Sequence, residues 1–284
     1  MRNRILAGLG AATLATVGLA APANAVTDET ADVYIVHAFP GATVDINIAS
    51  GTITLDDVGP GVAAGPGLAS PNVGIDALGD LAPGDYNVVI TNTADDSELF
   101  NDDLSLEAGV SYTVVAHPTE PAGDFTVSVF ENQLTTSEVG NGLITVRHTA
   151  NVGAVSVFSD GTELAGPLSN GDEGVLDVAA ATYPNVYAGP DADTPAIELG
   201  DVTLPAGTNI LVHAFGPDGE DFSAVVFTIG GLTTPDGVPA GSAGLVDEGA
   251  GAGFGWAAGG AALLLMVLVA AGILVRRQTV SAQR

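Results

Sequence analysis

Val33-Tyr34-Ile35-Val36-His37-Ala38 and Ile144-Thr145-Val146-Arg147-His148-Thr149 are two versions of one stretch, set 111 residues apart. Both are rich in β-branched residues and carry histidine at the fifth position, and such β-branched runs are a strand signature. Each copy leads through a short loop into a second strand-like segment, Thr43 to Ile48 in one and Ala154 to Phe158 in the other. Further on, Ala108-Gly109-Val110-Ser111-Tyr112-Thr113-Val114-Val115-Ala116 is answered by Ala206-Gly207-Thr208-Asn209-Ile210-Leu211-Val212-His213-Ala214. A period this long exceeds any solenoid repeat and has the size of a whole small β domain. The chain therefore reads as two related modules in tandem.

Outward from these segments the same texture continues. Alternating runs predict strands near 32–38, 43–49, 84–92, 97–106, 110–117 and 124–132, with a weaker one near 73–78. The second series falls near 142–148, 153–159, 174–179, 182–188, 196–204, 207–214 and 221–229. Short strands with Gly, Pro, Asn and Asp between them predict an all-β fold of two tandem Ig-like antiparallel β-sandwich domains, residues 26–138 and 139–232. The stretch from Gly59 to Gly74 has no charge and reads as a long crossover loop. Tyr86 and Tyr183 hold similar places in the two modules and read as tyrosines that pack the sandwich.

The ends carry an address. Arg2 and Arg4, an apolar stretch and Ala23-Asn24-Ala25 give residues 1–25 the form of a secretory signal peptide. Residues 233–254, rich in Gly, Ala and Pro, read as a stalk. Residues 255–275 are uncharged and long enough for one C-terminal transmembrane helix. Arg276-Arg277 open a cytoplasmic tail, 276–284, by the positive-inside rule. The expected location is the cell membrane, single-pass type I, with the bulk of the chain extracellular.

All 34 acidic residues lie between Asp28 and Glu248, where Arg147 is the one basic residue other than histidine, and the chain has no lysine. Nucleic-acid binding depends on clustered Lys and Arg, so that class is excluded. With no cysteine, the exported part must be held by its core.

Four histidines are present: His37, His117, His148 and His213. His37 and His148 match between the modules. His37 is followed by a Pro-containing loop, Phe39-Pro40-Gly41, and then by Asp45 on the next strand. A hydrogen bond between the two across the loop would pin it and raise the histidine pKa. His37 and Asp45 are thus the candidate ligand-contact or loop-pinning pair. No nucleophile elbow or zinc-ligand spacing accompanies them, and the acid clusters at 95–98, 102–103, 191–193 and 218–221 lack the twelve-residue calcium-loop pattern. No catalytic residue, metal ligand or cofactor is expected.

The sequence His37-Ala38-Phe39-Pro40-Gly41 with Asp45 resembles the opening motif of the family known as domain of unknown function 4397. Leu81-Ala82-Pro83-Gly84-Asp85-Tyr86-Asn87-Val88 and Leu106-Glu107-Ala108-Gly109-Val110-Ser111-Tyr112-Thr113-Val114 carry the resemblance further. It covers most of 32–132 and, more loosely, 142–230. In the second module the loop lacks Pro, Ser156 stands near the place of Asp45, and Asn209-Ile210 replaces Ser111-Tyr112. The resemblance implies a secreted or surface β domain and brings no activity with it.

The expected role is non-enzymatic: adhesion, binding or envelope structure, with a protein or glycan partner at the cell envelope. Contacts would fall on loops such as 38–44 and 59–74. The alternative is an envelope enzyme or solute-binding accessory using a His37/Asp45 polar site. Oligomeric state is left open.

Overall fold

The structure, a computed structural model, describes residues 29–49, 52–68, 73–216 and 222–234. The first module holds β1 (Asp32–His37), β2 (Val44–Ile48), β3 (Ile53–Val58), β4 (Val62–Gly65), β5 (Val73–Gly74), β6 (Gly84–Asn92), β7 (Glu98–Leu106), β8 (Ser111–Pro118) and β9 (Phe125–Glu131). The second holds β10 (Asn141–His148), β11 (Val155–Ser159), β12 (Thr162–Leu168), β13 (Glu173–Ala179), β14 (Ala181–Gly189), β15 (Ile197–Leu204), β16 (Thr208–Phe215) and β17 (Ser223–Gly230). A 3-10 turn at Asp76–Leu78 takes the place of the end of the weak strand expected near 73–78.

Each module is a two-sheet sandwich. In the first, the sheets run β5-β4-β1-β8-β9 and β3-β2-β6-β7; in the second, β13-β10-β16-β17 and β12-β11-β14-β15. The antiparallel expectation needs correction. β1 pairs β8 in parallel, from Asp32 with Ser111 to His37 with Ala116, and β10 pairs β16 the same way. The first strand of each module is thus a central strand, and the chain crosses to the other sheet before returning beside it. Hydrophobic periodicity reports which face is buried, not the direction of a neighbour.

The 59–74 segment is not simply a crossover loop either. It contains β4, paired antiparallel to β1 through Ile35–Ala64 and Val36–Ala63. Its residues are small because both of its faces are covered. A Cβ on Gly65 would overlap the Tyr34 ring, and one on Gly61 would lie 3.2 Å from Phe215 of the second module.

The inner strands explain why the opening segments are apolar without interruption. β1 and β8 are buried along their whole length, and β10 and β16 nearly so. One face of β1 and β8 (Val33, Ile35, Tyr112, Val114) packs inside the first sandwich. The corresponding face of β10 and β16 (Ile144, Val146, Ile210, Val212) packs inside the second. The other faces meet each other. Tyr34, Val36, Ala38, Ala63, Val115 and Phe130 form one cluster with Leu211, Val225, Phe227 and Ile229 of the second module. The four sheets therefore stack in one pile, fastened further by the bridge between Thr135 and Thr233.

The expected signal peptide, transmembrane helix and tail, and all but the first two residues of the stalk, lie outside the described residues. Among the described residues no helix is long and apolar enough to cross a membrane.

Candidate functional site

His37 closes β1 with its ring fully buried. Nε2 donates to the Ala42 carbonyl at 2.8 Å, so the proton sits on Nε2 and the buried Nδ1 has no partner. Asp45 does not meet it. Its Oδ1 accepts the Asp57 N–H at 2.8 Å on the exposed side of β2. Strand alternation explains the separation. His37 is in step with Val33 and Ile35, which face the sandwich interior, whereas Asp45 lies between the buried Val44 and Ile46 and points the other way. Asp57 has φ 56, and the β2/β3 register shifts between Val44 and Ile46, so the Asp45 carboxylate caps an irregularity in its own hairpin. The expected rise in the His37 pKa is also overturned. Burial lowers it, and the Ala42 bond offsets this only in part.

The second module repeats the pin without the carboxylate. His148 Nε2 lies 3.0 Å from the Val152 carbonyl and 3.2 Å from that of Gly153, again with Nδ1 buried and unpartnered. The histidine that recurs in the repeat thus ties its own loop to the end of the first strand in both copies. Tyr86 and Tyr183 do parallel work: each hydroxyl donates at 2.8 Å to a carbonyl four residues upstream, Ala82 and Ala179.

The polar centre of the molecule lies elsewhere, between the modules, around Arg147. Its side chain is fully buried. Nε donates to Glu173 Oε2 at 2.7 Å, one terminal nitrogen to Asn132 Oδ1 at 2.8 Å, and the other to His213 Nε2 at 3.1 Å. The guanidinium carbon stands 4.6 Å from the centre of the Phe130 ring. Asn132 and Phe130 belong to the first module; Glu173 and His213 to the second. A planar fork of donors suits this divided set of acceptors, which an ammonium would not match. Asn132 is held in turn by Thr113 and Ser111, at 2.8 and 2.9 Å. His213 stacks on Phe227, which stacks on Tyr34. Its pKa is held well below the usual range by burial and then by the Arg147 charge.

A second set of polar contacts crosses the junction nearby. Asn170 Nδ2 donates to the carbonyls of Pro118 and Ala150, at 3.0 and 2.8 Å. Asn209 Nδ2 donates to the Gln133 carbonyl at 3.2 Å. A cleft of about 360 Å³ at the linker is lined by Gln133, Thr135, Thr136, Ser137, Asp177 and Thr234 and includes neither His37 nor Asp45. The Asp177 carboxylate there is already bonded to the Ser137 N–H and to Asn141.

Sequence reasoning singled out Arg147 only as a charge count. The available signal was its position: an arginine where the first copy has Val36, in a run otherwise fit for a core. The acids at 95–98 and 191–193 serve as turn caps, Asp95 accepting from Ser97 and Asp191 from Asp193.

Residues 31–158 match the model of the family described as domain of unknown function (DUF4397). The matched span does not stop with the first sandwich. It runs on through β10 and most of β11, and so includes Arg147, His148 and the loop that His148 pins. No curated protein sequence matches the chain.

Proposed function

Residues 31–158 belong to the DUF4397 family, and from that footing we propose that the chain is a non-enzymatic, membrane-anchored surface protein whose paired β modules serve adhesion, binding or envelope structure. The modules are read as Ig-like, with the signal at 1–25 and the helix at 255–275 setting a type I topology. One observation carries the non-enzymatic part. His37 and Asp45, the residues that would have formed a polar site, point to opposite faces of the fold, and each is bonded to its own hairpin or loop. Most of the other buried polar groups between the modules bond to one another, the Tyr34 hydroxyl being an exception among the described residues. Such an arrangement supports a rigid double module, on which recognition falls to exposed surfaces.

Surface proteolysis of intact cells carrying a C-terminally tagged full chain tests the topology. The expected result is loss of the β modules with a short tagged fragment retained in the membrane. Full protection of the chain, or its release into the medium, would overturn the reading.

A further inference from the structure

Edge strands are templates for pairing, and soluble proteins guard them with charges, prolines, bulges or cover. The outer sheets follow that rule. β3 carries Asp56 and Asp57, β7 carries Glu98, Asp102 and Asp103, β12 carries Glu163 and Pro167, and β15 carries Glu198 and Asp201. All four also pair with their neighbours through register shifts.

β9 breaks the rule. It ends the sheet β5-β4-β1-β8-β9, and its ladder with β8 runs without irregularity from Tyr112–Glu131 to Pro118–Phe125. Phe125 to Phe130 contains no charge and no proline, in a chain with 34 acidic residues. Val129 is 40 % exposed, one of three exposed large apolar residues among those described and the only one on a strand of more than two residues. Among the described residues, no backbone bond of β9 is made outside the β8 ladder.

The charges that bracket the strand select its occupant. Asp124 precedes β9 and Glu131 ends it, both exposed. A second copy pairing antiparallel through β9 would bring these acids together at both ends. A strand with an uncharged, β-branched middle and basic residues at its ends would satisfy both.

We infer that the free edge of β9 is a docking site for an extended polypeptide segment of another protein, with alternating β-branched residues flanked by Lys or Arg, added as a sixth strand to the sheet. This deepens the binding side of the function proposed above, and its failure would leave the surface topology untouched.

The probe is a nine-residue peptide of alternating valine and threonine between paired lysines, titrated into the full chain in mild detergent. Controls are the same peptide with prolines in its middle and one with glutamates at its ends. The lysine peptide is expected to bind at least about tenfold more tightly than either control, to slow amide exchange along β9, and to be lost with Val129→Lys. The double variant Asp124→Lys/Glu131→Lys should prefer the glutamate peptide, a reversal that misfolding cannot produce. Equal binding of the proline control would mean attraction to the acidic surface alone and would overturn the inference. So would self-association of the full chain that Val129→Lys abolishes, because the edge would then belong to a second copy.

Discussion

Acidification from pH 7.5 to 5.5 tests how the buried histidines are used. His37, His117, His148 and His213 are each at most 2 % exposed, and burial lowers every one of their pKa values. His213 faces Arg147 and His117 faces His148, which adds to the effect, whereas Asp172 and Glu120 near His148 oppose it. A folded pKa below the unfolded value of about 6.5 means that the unfolded chain binds more protons. Stability is then complete above about pH 6.5 and falls as the pH drops toward each folded pKa. One proton per histidine is worth at most about 1.4 kcal/mol per pH unit, so the four together can give a slope of no more than about 6 kcal/mol per unit. That is comparable with the whole stability of many domains, about 5–15 kcal/mol. The opposing effect, relief of carboxylate repulsion in a chain of net charge −28, begins only as carboxylates protonate near pH 4. Asp32, its pKa raised by burial, binds its proton more readily in the fold and adds to that opposing effect. Chemical denaturation at half-unit steps, followed by circular dichroism, should therefore show stability falling steeply between pH 6.5 and 5.5. His213→Gln should make the slope shallower by about one proton. A flat profile, or stability that rises on acidification, would refute the assignment of neutral buried rings.

Three further outcomes are expected. A double-mutant cycle of His37→Ala and Asp45→Ala should give a coupling energy below about 0.5 kcal/mol, since they share no partner; coupling above about 1 kcal/mol would restore the pair. Arg147→Met should cost about 3–5 kcal/mol in denaturant unfolding, because Asn132 and His213 lose a buried donor and Glu173 its partner. Glu173→Gln should also destabilise, because it leaves the fully buried guanidinium without its counter-charge although the amide oxygen can still accept; a neutral result would count against the buried ion pair. Gly65→Ala should cost about 1–3 kcal/mol by forcing the added methyl against Tyr34, and a neutral result in the same assay would show that β4 can shift.

The repeat was legible because it is written in long central strands. Six of the seven strand readings in the first module coincide with observed strands, as do all seven in the second. β3, β4 and β12 escaped because Ile53–Val58 and Thr162–Leu168 mix polar residues or a proline into short runs, and Val62–Gly65 is made of small residues between glycines and prolines. Those small residues are forced by tertiary contact, with Tyr34 on one side and the second module nearby. No local pattern reports such a contact. The same limit applied to the candidate pair. His37 and Asp45 lie eight positions apart across one loop, which suggested a hydrogen bond. Whether they meet depends on which face each strand turns inward, and the buried neighbours Val44 and Ile46 decide that against them.

The differences between the copies follow from how the copies meet. The two modules pack through equivalent faces, so a residue changed in one is read by the face of the other. At the position of Val36 in β1, the second copy carries Arg147 in β10. Two arginines here would bring like charges into a buried interface, and two valines would leave Asn132 without a charged donor. One of each lets a single guanidinium bond across the junction to Asn132, stack on Phe130, and neutralise Glu173 on its own side. The second module's loss of the proline loop and of the acid at Asp45 has no such consequence, because its histidine pin works without either. The residues that differ on the shared face thus make contacts across the junction, and those that differ at the loop leave the histidine pin in place.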